Sequence, residues 1–102
     1  PPNMGLYAST KAALASLTEV MAQEWSPLNI RVNALAPGSY RSEMTNSAIQ
    51  SIEGYEQSLI DAALIPRVAD ASEILNPVFY LATEAYTTGI TLVADGGVLA
   101  KR

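Results

Sequence analysis

Residues 30–38, I-R-V-N-A-L-A-P-G, decide the fold. The run is short, partly β-branched and alternating, which predicts a strand over residues 30–36. Pro37-Gly38 then closes it with a turn signal. On the amino side of this strand, Leu14, Leu17, Met21 and Trp25 recur at three- and four-residue steps. That spacing predicts an amphipathic, alanine-rich helix over about residues 5–25. Ala8, Ala12, Ala13 and Ala15 are small enough for another helix or a ligand to approach closely, and Pro27 and Asn29 end the helix.

On the carboxyl side, residues 39–45 are polar and read as loop. A weaker helical stretch follows over about residues 46–64, interrupted by Gly54. Asp70 stands three residues before Glu73, a capping-box-like helix start. Ile74, Leu75, Val78, Phe79, Leu81 and Ala82 continue that helix, with Pro77 inside it to remove one hydrogen bond and kink it. Residues 90–94 read as a buried strand between Thr88-Gly89 and Asp95-Gly96-Gly97. There is no internal repeat and no low-complexity tract.

The order helix, strand, helix, helix, strand implies a parallel α/β arrangement. Parallel strands need helices over both faces, and two strands are too few to make such a sheet. Apolar helix faces should therefore stay partly exposed. The reading is a piece of a larger α/β domain, with residues 1–102 all in one domain and further strands expected upstream. The opening P-P-N-M-G looks like a loop cut mid-protein, and no charged-then-apolar leader precedes Tyr7, so no signal peptide is expected.

Composition narrows the function classes. A chain of 102 residues is at most one small domain, and a hydrophobic share of 49% is ordinary for a globular chain. The net charge is −4 and the six basic residues are scattered, which argues against a nucleic-acid partner. No apolar run approaches the ~20 residues that span a bilayer, so no membrane partner is expected. Neither cysteine nor histidine is present. That excludes disulfides, thiol chemistry, Cys/His metal sites and histidine-based triads. It is compatible with a reducing cytosol, and a cytoplasmic location is the expectation.

The chemistry is concentrated in Y-A-S-T-K, residues 7–11. On a helix, Tyr7 and Lys11 are i and i+4 and share a face. A free phenol has a pKa near ~10 and exchanges protons poorly at neutral pH. A neighbouring cation typically lowers such a pKa by about 1–3, into the range where a general acid or base works. Against this stands accidental pairing among five tyrosines and two lysines, since short motifs often match by chance. Other residues read as structural. Asp95-Gly96-Gly97 is a tight turn, Ser9 and Thr10 satisfy helix backbone or pack, Asn33 stabilises local backbone, and Trp25 and Phe79 are core or subunit contacts. Arg31, Arg41 and Arg67 read as solvated, with Arg41 a candidate for a substrate mouth.

Four ordered landmarks resemble the C-terminal half of a short-chain dehydrogenase/reductase. Y-A-S-T-K resembles that family's Tyr-x-x-x-Lys motif. I-R-V-N-A-L-A-P-G resembles its strand ending in Asn-x-x-x-Pro-Gly, followed here by S-Y-R-S-E-M-T. S-E-I-L-N-P-V-F-Y-L-A-T-E, from Ser72, resembles its late helix, and T-G-I-T-L-V-A-D-G-G, from Thr88, its last strand and turn. The resemblance implies the C-terminal portion of a Rossmann-type doubly wound parallel sheet. It implies hydride transfer between NAD or NADP and a small-molecule carbonyl or alcohol, with no metal.

Under that resemblance Tyr7 is the catalytic acid/base. Lys11 lowers its pKa and hydrogen-bonds the nicotinamide ribose, so both also bind the cofactor. Pro37 and Gly38 form the turn beside the nicotinamide, and Tyr40 and Ser42 match positions touching its carboxamide. Tyr40 stands where the family usually has Ile or Val, and Ser42 where it has Thr. Residues from Ile65 to Ile74 are shorter than the family's usual Leu-Gly-Arg version, and Pro77 is unusual in that helix. The family's glycine-rich phosphate loop, its NAD/NADP-selecting residue and its catalytic serine belong to the first half, upstream. Without them the isolated chain is expected to be inactive. The resemblance implies a homodimer or homotetramer for the parent. The alternatives are a non-catalytic remnant or oligomerisation module, and a Tyr-x-x-x-Lys epimerase or dehydratase. The specificity loop, roughly residues 39–64, carries no pattern that names a substrate.

Overall fold

A computed structural model describes residues 4–101, apart from the side chains of Met4 and Tyr7. Helix α1 spans Met4–Trp25, as the long apolar period predicts. It ends through a 3-10 turn at Ser26–Leu28. Asn29 follows at φ 63°, donating its amide to the Ser26 carbonyl. Asparagine tolerates this left-handed conformation better than most residues, so it closes the helix cheaply.

Strand β1 is Ala34–Pro37 and β2 is Thr91–Ala94, paired in parallel with Ala34 opposite Thr91 and Pro37 opposite Ala94. Both strands are shorter than their sequence patterns. Residues 30–33 are held by irregular bonds instead. The Val32 amide donates to Thr88 Oγ1 (3.0 Å), and the Val32 carbonyl accepts from the Gly89 amide (2.7 Å). Asn33 bridges the same segment, donating to the Thr87 carbonyl (3.0 Å) and accepting from the Ile90 amide (3.3 Å). Its expected structural role is the one it plays.

Between the strands lie α2 (Glu43–Ser51), α3 (Tyr55–Ala62), a 3-10 segment at Ala71–Ile74 and α4 (Leu75–Thr83). Gly54, at φ 77°, separates α2 from α3 in the left-handed region that glycine enters without strain. Glu73 reaches back to accept from the Asp70 amide at 2.6 Å, the contact its spacing predicts. Pro77 does not kink a long helix. The α-helix starts at Leu75, so Pro77 falls in its first turn, where a missing N–H costs little.

Arg31 is not a solvated charge. Its guanidinium donates to the carbonyls of Leu81 (2.9 Å), Ala82 (2.9 Å) and Thr87 (3.2 Å), capping the C-terminal end of α4. Arg67 is exposed but paired, with both terminal nitrogens on Glu73 at 2.7 Å. Arg41 pairs with Glu56 at 2.5 Å.

Among the described residues the buried apolar ones are Ala22, Ala63 and Val68, and the buried polar one is Thr18. Thr18 satisfies its hydroxyl on the Leu14 carbonyl one turn back (2.8 Å). Leu14, Leu17, Phe79 and Leu75 all remain at least half exposed. The radius of gyration is 15.7 Å, against ~13 Å for a self-contained domain of this length. Open apolar faces on a two-stranded sheet are what the sequence predicts.

Candidate active site

The carboxyl ends of β1 and β2 carry two adjoining turns. After β1, Pro37-Gly38 brings the chain against the start of the turn after β2. A Cβ on Gly38 would stand 2.6 Å from the Asp95 Cα, so only glycine fits this approach. The Gly38 amide donates to the Ala94 carbonyl (3.1 Å). On the β2 side, Asp95 accepts from the amides of Gly97 (2.8 Å) and Leu99 (3.0 Å), folding the Asp95-Gly96-Gly97 turn around its own carboxylate. Gly96 and Gly97 have φ of 65° and 88°. The turn is structural, as its sequence suggests.

Helix α1 lies beside these turns. Together they enclose a cleft of about 710 Å³, lined by Lys11, Leu14 and Ala15 from the helix, by β1 through Ser39, and by Asp95, Val98 and Leu99 from the second turn. Its volume lies in the ~300–1,000 Å³ range of small-molecule sites. Its walls are mostly apolar, with the Lys11 side chain as the cationic group.

The residues singled out from the sequence therefore separate. Lys11, Pro37 and Gly38 line one cleft. Tyr7 sits one helical turn before Lys11 on α1, and its side chain lies outside the described residues. Tyr40 lines a smaller hollow of about 280 Å³ on the other side of the turn, with Leu59, Ala63 and Ile65. Its hydroxyl donates to the Ala94 carbonyl at 2.9 Å. Ser42 is the N-cap of α2, accepting from the Thr45 amide (3.2 Å) and donating to Thr45 Oγ1 (3.0 Å). Ser39, Val98 and Leu99 join the main cleft without any sequence signal that could have marked them. Among the described residues no cluster of three or more acidic side chains is placed to hold a metal. None of their helices is long and apolar enough to cross a membrane.

A family model described as enoyl-(acyl carrier protein) reductase matches residues 1–99. The chain belongs to the short-chain dehydrogenase/reductase family. Among curated members of that family, it is 35% identical over 100 residues to an NADH-dependent L-xylulose reductase of Ambrosiozyma monospora, covering 95% of this chain and 37% of the relative. It is 40% identical over 94 residues to a peroxisomal 2,4-dienoyl-CoA reductase of Pongo abelii, covering 87% and 31%. The fold superposes on a gluconate 5-dehydrogenase from Burkholderia cenocepacia in complex with NADP and tartrate, with TM-score 0.82 and 30% identity, over 94% of this chain and 38% of that one. The chain thus spans about a third of the length of the curated relatives it matches. The short parallel sheet and its helices are part of a Rossmann-type α/β fold. NADH and NADP both occur among these short-chain dehydrogenase/reductases, which leaves the choice of nicotinamide dinucleotide open.

Proposed function

We propose that residues 1–102 form the C-terminal part of a single Rossmann-type domain of an NAD(P)-dependent oxidoreductase, carrying the proton-transfer side of its active site. The observation behind this reading is that Lys11 and the Pro37-Gly38 turn line one cleft at the carboxyl ends of two parallel strands. Open α/β sheets take their ligands at that end. An ammonium is purely a hydrogen-bond donor, which suits the hydroxyls of a nicotinamide ribose. The apolar wall of Leu14, Ala15 and Val98 suits an uncharged ring face. These residues fit the nicotinamide end of a dinucleotide, which when bound supplies or accepts the hydride.

The chain's own contribution is the proton. Tyr7 holds it on the phenolic oxygen and gives it to a substrate carbonyl oxygen in reduction, or takes it from a hydroxyl in oxidation. Lys11, one helical turn further on, favours the phenolate through its charge and orients the ribose. The substrate is a small-molecule carbonyl or alcohol. The exposed apolar side of α1 and exposed Phe79 on α4 are open to a second copy, in keeping with a dimer or tetramer.

The test is Tyr7→Phe in the full-length protein. The ring is kept and the exchangeable proton removed, so kcat should fall by about 10²–10⁴ while dinucleotide binding is retained. An unchanged kcat overturns the acid/base role.

A further inference from the structure

The Ala94 carbonyl, at the end of β2, accepts two hydrogen bonds from one short segment. The Gly38 amide donates at 3.1 Å and the Tyr40 hydroxyl at 2.9 Å. A carbonyl oxygen has two lone pairs, so both bonds are accommodated. The backbone around Tyr40 is held on its other side as well. The Arg41 amide donates to the Ala69 carbonyl (2.8 Å), and the Ala69 amide donates to the Ser39 carbonyl (3.0 Å). The half-buried Tyr40 ring lines one side of the hollow that Leu59 of α3, Ala63 and Ile65 also line. An aliphatic side chain at this position could line that hollow but could not make the bond to Ala94.

We infer that Tyr40 is a positioning residue: acting through the Ala94 carbonyl, it locks the Pro37-Gly38 turn against β2. Its side chain does not line the Lys11 cleft, so it acts on that cleft only through the turn. The consequence for cofactor binding rests on the proposed reading of the cleft, whereas the lock itself rests on the hydrogen bonds. A dinucleotide entering the cleft then meets a turn already held in place.

The experiment compares wild type, Tyr40→Phe and Tyr40→Ile in the full-length protein. Amide hydrogen exchange without dinucleotide comes first, followed by dinucleotide titration and steady-state kinetics. Tyr40→Phe keeps the ring and removes only the donor. The Gly38 and Arg41 amides should exchange about three- to tenfold faster in it, as expected for one lost hydrogen bond, while the ladder amides of β1 and β2 keep their protection. The dissociation constant and KM for the dinucleotide should rise by a similar factor, with kcat within about twofold of wild type. Tyr40→Ile should match or exceed these changes. Wild-type exchange at Gly38 and Arg41 in Tyr40→Phe overturns the inference, as does uniform acceleration across the sheet, which a purely structural residue would give. If the wild type binds neither dinucleotide, the oxidoreductase reading falls instead, whatever the exchange pattern.

Discussion

The two walls of the cleft are ordered by different means. The turn wall, residues 37–42 and 94–99, is tied together by its own hydrogen bonds: Gly38 and Tyr40 to Ala94, and Gly97 and Leu99 to Asp95. The helix wall is α1, where, among the described residues, Thr18 and Ala22 are the buried ones while Leu14 and Leu17 are 50% and 52% exposed. Helical hydrogen bonds keep α1 a helix but do not decide where it sits. The turn that frames the cleft is thus set locally, whereas the hydrogen bonds within α1 do not fix where Lys11 stands relative to it.

The most severe test of that contrast is Leu17→Ala on α1. If more of the full-length protein or a second copy covers this face, the substitution should cost about 2–5 kcal/mol, the range for a buried leucine. A truly exposed leucine would change stability by less than about 0.5 kcal/mol. Denaturant unfolding of the full-length protein distinguishes the two, and the small value would break the comparison.

Gly38→Ala probes the other wall. The added methyl would lie 2.6 Å from the Asp95 Cα and 2.9 Å from the Asp95 carbonyl oxygen, both backbone atoms that cannot swing aside. The two turns must separate, at a cost of about 1–3 kcal/mol. Unlike Leu17→Ala, this penalty needs nothing outside residues 4–101. Thermal unfolding should therefore show it whether or not a partner surface is present.

The same division explains what was legible in the sequence. Helix α1 could be read almost to its ends because its apolar period, Leu14 to Trp25, runs for about three turns and Asn29 marks its close. The parallel pairing was legible too, but the alternating pattern over residues 30–36 overstates the strand, which is Ala34–Pro37. Val32 and Asn33 spend their polar groups on the loop before β2, a long-range choice that no local pattern encodes. Residues 39–45 read as loop because the segment is polar. Yet Ser42 is an N-cap and α2 begins at Glu43, so the polarity belonged to a helix start. In the site, Lys11, Pro37 and Gly38 come together as the motifs suggest. Tyr40 and Ser42 do not line their cleft, because a motif records spacing along the chain and not which side of a turn each side chain takes.

The smallest expected effect concerns the loop that backs the turn wall. Ala69 pairs with Ser39 and Arg41, and next to it Arg67 and Asp70 both bond to Glu73. The Arg67 guanidinium, through its hydrogen bonds, is the main cause that lowers the Glu73 carboxyl from 4.5 to about 2; the Asp70 amide adds to it. A depressed carboxyl pKa means that the unfolded chain binds more protons than the folded one between those two values. Stability there rises with pH. The stabilisation is complete above about pH 4.5 and is lost as pH falls toward about 2. The pair is open to solvent, so the effect should be small and weakened by added salt. Glu73→Gln should flatten the acid limb of a stability-against-pH curve while leaving the Gly38 penalty unchanged at neutral pH. If Glu73→Gln leaves the acid limb as steep as in wild type, the Arg67–Glu73 pair is not what anchors this loop, and the order of the turn wall rests on the strand-end hydrogen bonds alone.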